Sequence, residues 1–192
     1  PLNFGDKSYA CYAKNYEEHL GSSSGGIFSV LARRFLAEEG VIFGAAFNEK
    51  MEVEHIGISK TEDLFKLKGT KYVQSRIGKS YAYVREALLK GKKVLFSGTP
   101  CQVAGLKAYL GEDYENLLSI DLICHGVPSP AVWKRYLNEC FGEDNVSAMQ
   151  FRNKRKGISK VTMDYTLKSG EVIHESYNES LYIKGFIGNF YT

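Results

Sequence analysis

Two cysteines of this 192-residue chain stand where a thiol can do chemistry. Cys101 follows the apolar run Val94 to Phe96 and the turn Ser97-Gly98-Thr99-Pro100, and it opens a helical pattern carried by Val103, Leu106, Ala108 and Leu110. The stretch reads as a buried strand, a tight turn and a helix opened by Pro100, a residue suited to a first helical turn. Cys124 repeats the plan: Leu117 to Ile123 reads as a strand, then His125-Gly126-Val127-Pro128-Ser129-Pro130 leads into a helix with Val132, Trp133, Tyr136, Leu137 and Cys140. A thiol at a helix N-terminus is easily made a thiolate, and the carboxyl ends of strands are where open α/β sheets place ligands. Three chemistries stay open: a structural thiol, a nucleophile served by a base such as His125, and an iron–sulfur ligand. The last needs thiolates, usually four of them. Cysteine phosphatase and protease signatures are absent, and His125 directly follows Cys124 instead of arriving from elsewhere.

The elements that would position these thiols run in order. Tyr9-Ala10-Cys11-Tyr12-Ala13 reads as a possible strand with Cys11 as a small core residue. Gly21-Ser22-Ser23-Ser24-Gly25-Gly26 precedes an amphipathic helix with apolar residues at 27, 28, 31, 35 and 36. A Ser/Gly run there leaves backbone N–H groups and hydroxyls free to cradle a phosphate, or is an ordinary capped start. Val41 to Phe47 is a buried strand, and Met51 to Ile56 an alternating, half-exposed partner on which His55 is a strand-face polar residue. A helical start spans 61–67. Lys68 to Ser75 is rich in hydrogen-bond donors around Tyr72, and a helix over Tyr83 to Leu88 ends at Gly91. Successive β-α units imply a largely parallel sheet. Consecutive parallel strands bring their following turns to one edge, so Cys101 and Cys124 should lie close together. From Val146 the texture changes: Val161 to Leu167 and Glu171 to Tyr177 read as a hairpin, the basic run Arg152 to Lys156 as a solvated loop or docking patch, and Leu181 to Phe190 as a helix.

Composition narrows the class. A net charge of +3 gives no case for nucleic acid or membrane binding, and no apolar run reaches the roughly 18 residues of a membrane span. Thirteen tyrosines and eleven phenylalanines can build a core and wall a planar cofactor. The four cysteines lack a C-x-x-C pair, which favours a cytoplasmic protein with reduced thiols over a disulfide framework. Pro1-Leu2-Asn3-Phe4 carries neither methionine nor a signal pattern, as expected of a piece cut from a longer chain. The expected fold class is α/β, a mostly parallel or mixed sheet with flanking helices plus a C-terminal β-hairpin region. The core is expected over 1–145, and an incomplete hairpin-containing region over 146–192.

Four stretches together resemble the beta-subunit family of coenzyme F420 hydrogenases and dehydrogenases, in its bacterial branch. They are Ser22 to Ser29, Gly69-Thr70-Lys71-Tyr72-Val73-Gln74-Ser75, Ser97 to Leu106, and Asp121-Leu122-Ile123-Cys124-His125-Gly126-Val127-Pro128-Ser129. The resemblance implies a flavoprotein that passes electrons between iron–sulfur clusters and a deazaflavin or similar two-electron acceptor. By position, Ser23, Ser24, Gly25 and Gly26 would hold FAD phosphates. Lys71 and Tyr72 would lie along the flavin or its phosphates and Thr99 beside its ring, with Gln74 and Gly98 also among the cofactor-binding residues. Cys101 and Cys124 would be two thiolates of a [4Fe–4S] cluster whose other ligands come from outside this sequence. The implied partners are a redox protein or ferredoxin-like segment and a small-molecule electron acceptor. Two other readings remain: a transferase or hydrolase using Cys101, and a docking subunit using the basic run.

Overall fold

The hydrophobic pattern resolves into two sheets in a computed structural model of the chain, which describes residues 9–157 and 160–188. The first sheet has strand order β2-β1-β3-β4, with β1 over Val41–Phe47, β2 over Val53–Ile58, β3 over Val94–Gly98 and β4 over Leu117–Asp121. β1, β3 and β4 run parallel, and β2 folds back antiparallel on β1. The fold class is the expected one, a mixed sheet with helices on it and a separate antiparallel sheet after it.

Alternation along the central strands divides the helices between the two faces. Ile42, Ala46 and Leu95 point to one side and bury the apolar stripe of α2 (Ile27–Ala37), through Ala32 and Leu36, and of the short α3 (Leu64–Leu67). Phe43, Val94 and Phe96 point to the other side and bury α4 (Ser80–Leu89) and α5 (Pro100–Leu110), through Val84, Leu88, Val103 and Leu106. A strand buried on both faces reads as a continuous apolar run, and Val94-Leu95-Phe96 does. Near the chain start, α1 (Tyr16–Leu20) is a single turn capped by Asn15, whose Oδ1 accepts from Glu18 N–H at 2.9 Å.

The second sheet has order β5-β6-β7: Val146–Asn153, Thr162–Leu167 and Val172–Ser176. The β6–β7 hairpin is where the sequence puts it, turning through Gly170 at φ +89°. β5 is an addition. Two shifts in its register with β6 break the two-residue alternation that would announce a strand. α6 (Pro130–Phe141) and α7 (Leu181–Ile187) cover this sheet, and Trp133, Leu137, Tyr182 and Ile183 join Phe151, Met163 and Tyr165 in one core. That core also takes in Met51 and Val53 of the first sheet's hairpin. The far end of the last expected helix, beyond Gly188, lies outside the described residues.

Three expectations need correction. Cys11 is exposed, not a core residue. Its segment is no strand but one extended pass held by Ala13 N–H to Gly25 O at 2.7 Å, and Ala13 takes the buried position. His55 is buried at 6% exposure rather than half-exposed on a strand face, because Ser75, Ser80 and Arg76 close over the outer edge of β2. The basic run is not simply solvated, since Lys154 is buried at 7% exposure and turned inward.

Candidate cofactor site

The loop of residues 68–76 makes the site, because it is tied in turn to each of the three turns that the chemistry-bearing motifs occupy. Thr70 N–H donates to Ser23 Oγ at 2.7 Å, which binds the loop to the Ser/Gly turn before α2. Gln102 Nε2 donates to Ser75 Oγ at 2.8 Å, which binds it to the start of α5. Gln74 N–H donates to Pro128 O at 2.9 Å, which binds it to the turn after Cys124. Four stretches that are far apart in sequence therefore converge on one rim.

The Ser/Gly turn is held from several sides. Ser22 Oγ donates to Glu18 O at 2.6 Å, and Lys154 Nζ donates to Ser24 O at 2.8 Å and to His19 O at 2.9 Å. Glu18 meets Arg33 of α2 at 3.0 Å and Lys68 of the loop at 2.6 Å. Burial works against its charge, yet the bonds from Lys68, Ser29 and Arg33 outweigh that and hold Glu18 below the usual carboxylate range. A Cβ on Gly25 would stand 2.4 Å from Cys11 O, and Gly26 caps α2 at φ +82° without a side chain. The start of α2 therefore has no side-chain cap, and an uncapped first helical turn is an arrangement that can receive an anion.

At the end of β3, a chain of donors and acceptors fixes the α5 start. Thr99 N–H donates to Gln102 Oε1 at 3.0 Å, and Gln102 Nε2 donates to Ser75 Oγ. Ser75 Oγ then donates to His55 Nδ1 at 2.8 Å, and His55 Nε2 donates to Ser97 O at 3.1 Å. The Ser97 carbonyl fixes a proton on Nε2, and burial favours the neutral imidazole whose Nδ1 accepts from Ser75. Burial lowers its pKa, ahead of the opposing bond to Ser97 O and of a further lowering from nearby Lys71. Its ring stacks on Phe96 at 5.3 Å. Gly98 makes room for this return, since a Cβ there would meet Gln102 Oε1 at 3.1 Å. Nothing in the sequence marks His55 and Gln102 as partners, because their link runs through a loop serine.

The two thiols sit as the β-α units require. Gly98 pairs with Asp121 across β3 and β4, and Leu122 N–H donates to Gly98 O at 3.0 Å. Cys101 and Cys124 each follow that pair by three residues, and both are exposed. Thr99 Oγ1 lies 3.1 Å from Cys101 Sγ. His125 faces away from a base's role, with Nε2 at 3.4 Å from Phe186 O and its ring edge-on to Phe186.

The other expected binding residues are drawn in, but toward the chain itself. Lys71 Nζ donates to Lys66 O at 3.0 Å and Lys68 O at 2.8 Å, closing the C-terminal end of α3. Burial pulls its pKa down to about 7. Tyr72 packs its ring against Phe151 and Phe186, at 5.3 and 5.2 Å, and its carbonyl accepts from Tyr182 at 2.7 Å. Gln74 presents an exposed side chain at the rim.

Comparison with known proteins points in one direction. Residues 91–181, from the strand before Cys101 to the start of α7, match the family described as the C terminus of the coenzyme F420 hydrogenase/dehydrogenase beta subunit. Over that span, a little under half of its length, the chain resembles the F420 hydrogenase/dehydrogenase beta-subunit family. A relative, the F subunit of the F(420)H(2) dehydrogenase of Methanosarcina mazei, is 28% identical over 111 residues, which are 56% of this chain and 31% of the relative. A chain in the xenon-derivatised structure of the F420-reducing [NiFe] hydrogenase complex from Methanosarcina barkeri shares the fold, with TM-score 0.56 and 16% identity. That likeness covers 88% of this chain and 61% of the other, so the chain spans less than two thirds of either relative.

The family's cofactors can be tested against the residues present. Two exposed thiols on adjacent parallel turns suit a pair of cluster ligands. Among the described residues no group of three or more His, Cys, Asp or Glu side chains is set to hold a metal ion, so a four-thiolate cluster takes further thiolates from elsewhere. An FAD fits the rim in part: the uncapped α2 start, Ser24 and Thr99 remain open to it, while Ser23 and Lys71 already hold the loop. No helix among the described residues is long and apolar enough to cross a membrane.

Proposed function

We propose that this chain is a flavin-dependent electron-transfer subunit acting between an iron–sulfur cluster and a deazaflavin such as coenzyme F420. The observation that carries the reading is the convergence of the Ser/Gly turn, the α5 start and the turn after Cys124 on the loop of residues 68–76. FAD would lie along that loop, with its phosphates at the exposed Ser24 and the uncapped start of α2 and its ring beside Gly98 and Thr99. Cys101 and Cys124 would supply two thiolates to a [4Fe–4S] cluster beside it. Bound FAD would exchange electrons singly with the cluster and in pairs, as hydride, with the deazaflavin.

The chain's own part is placement. Ser23 and Ser75 hold the two ends of the loop, Gln102 and His55 fix the α5 start, and Lys71 steadies α3 beneath. Its partner is a redox protein or ferredoxin-like segment, and the setting a reducing cytoplasm that keeps both thiols available as ligands. The family match over residues 91–181 supports an oxidoreductase role. The nucleophile reading loses support, since His125 is turned to Phe186 and the polar group beside Cys101 is a threonine hydroxyl.

The test is anaerobic mixing of the chain, loaded with FAD, iron and sulfide and joined by the segment or partner that supplies the remaining cluster thiolates, with reduced coenzyme F420. The flavin absorbance should bleach and a viologen dye should then be reduced. Cys101→Ser should keep the bleaching and lose dye reduction. A protein that takes up flavin but is not bleached would overturn the proposed electron donor–acceptor pair, and one that takes up none would overturn the whole reading.

A further inference from the structure

A carboxylate with two phenols on it lies in the second sheet, away from the rim. Met163 pairs with Glu175 and Tyr165 with Ile173 across β6 and β7, so Tyr165 and Glu175 are diagonal neighbours on one sheet face. Tyr165, fully buried, donates to Glu175 Oε2 at 2.8 Å. Tyr136 of α6 donates to the same carboxylate at 3.1 and 3.2 Å, and the two phenol oxygens are 3.4 Å apart. Met163 Sδ is 3.9 Å from the Tyr165 oxygen, and Phe141 covers the Tyr165 ring at 4.3 Å. Desolvation, the neighbouring phenol and Glu175 push the Tyr165 hydroxyl far above its ordinary range, so it stays protonated. Desolvation likewise pushes Tyr136 up to about 12.

A run of rings leads from this cluster back to the rim. Tyr136 is 5.2 Å from Tyr182, Tyr182 is 4.9 Å from Trp133, and Trp133 is 5.1 Å from Phe151. Phe151 meets Tyr72 at 5.3 Å. Tyrosine and tryptophan are the side chains most easily oxidised by one electron without forming a bond, and a phenol gives up that electron readily only if its proton has somewhere to go. A carboxylate already accepting that proton provides the place.

We propose that Tyr165 and Glu175 form a one-electron redox site, with the aromatic run from Tyr72 as its route, that takes up oxidising equivalents arising at the rim. The oxidant is a strong one-electron acceptor such as a peroxyl radical. The electron leaves Tyr165 and reduces the peroxyl radical to the hydroperoxide anion. The phenolic proton moves to Glu175, leaving a neutral tyrosyl radical hydrogen-bonded to a carboxylic acid. Return of one electron from a small one-electron reductant of the enediol class, such as ascorbate, with the proton moving back from Glu175, restores the pair. The pair itself does not rest on the flavin reading, because it holds no cofactor and sits on its own sheet.

The probe is photogenerated tris-bipyridine ruthenium(III), used on the full chain without flavin, with the radical followed by transient absorption and freeze-quench electron paramagnetic resonance. The expected result is a tyrosyl radical that outlives those of exposed tyrosines such as Tyr12. Tyr165→Phe should lose that long-lived signal. Glu175→Gln, which keeps a hydrogen-bond acceptor and removes the base, should lose it too, with circular dichroism confirming the fold of both. A long-lived radical that survives in folded Tyr165→Phe would overturn the proposal. So would a wild-type radical that decays as fast as an exposed one, a result that needs no variant.

Discussion

The Lys154 ammonium donates to the Ser24 carbonyl oxygen at 2.8 Å, fastening the end of β5 to the turn at which α2 begins. A second bond, to His19 O at 2.9 Å, makes Lys154 a clamp between the second sheet and the Ser/Gly turn. Hydrogen bonds from a charged donor contribute about 1.5–3 kcal/mol each, and the carbonyls left behind carry a desolvation penalty. Lys154→Met keeps the buried stem and removes both bonds. Urea unfolding should show a loss of about 3–6 kcal/mol for the two bonds together, with a drop in flavin affinity because the turn is freed.

The relay through His55 carries a pH dependence. Its folded pKa lies below the unfolded value of about 6.5. On acidification the unfolded chain takes up that proton first, so stability is full above about pH 6.5 and is lost as the pH falls toward the folded pKa. Protonation also removes the acceptor at Nδ1 that Ser75 needs. His55→Gln retains a donor and an acceptor and should flatten this part of the acid limb. An unfolding midpoint equally acid-sensitive in the variant would assign the limb to other groups.

Lys71 acts in the opposite half of the pH scale. Its folded pKa of about 7 is set against an unfolded value of about 10.4, so between those limits the unfolded chain binds the extra proton. Stability should rise with pH across that window, by at most about 1.4 kcal/mol per pH unit. A neutral amine still has two hydrogens for Lys66 O and Lys68 O. Lys71→Met should abolish the alkaline rise, measured as unfolding free energy against pH.

Gly25 and Gly26 are constrained for different reasons. A Cβ at Gly25 would stand 2.4 Å from Cys11 O, against backbone that can yield only by moving the whole pass of residues 11–13. At Gly26 the difficulty is the positive φ of 82°, which costs a non-glycine residue about 1–2 kcal/mol. Gly26→Ala should therefore lower stability by about 1–2 kcal/mol. Gly25→Ala should in addition free the Ala13–Gly25 bond, seen as faster hydrogen exchange at the Ala13 amide.

What the sequence revealed was set by how local each cause is. The strands β1 and β3 were readable because burial on one or two faces writes itself into consecutive residues, and β4, an edge strand with no buried residue, because its apolar run repeats the pattern of β3. Cys101 and Cys124 could be placed at one edge because parallel β-α units leave no other arrangement for their turns. β5 was hidden by its register shifts, and Lys154 looked like surface charge because the carbonyls that hold it lie 130 or more residues earlier. His55 was misjudged for a similar reason: alternation gives the face of β2, but the loop that buries the ring arrives from 20 residues downstream. Lys71 and Tyr72 were singled out by their types, whereas their bonds to Lys66, Lys68 and Tyr182 follow from tertiary packing alone.

The most direct test of the central claim is flavin retention. The full chain, reconstituted anaerobically with FAD, iron and sulfide, would be passed through gel filtration and its flavin counted against protein by absorbance. A stoichiometric flavin that is retained by the wild type and by Cys140→Ser, and lost in Gly26→Asp, is the predicted result. A colourless wild-type protein, or one whose flavin is held equally well by Gly26→Asp, would contradict it.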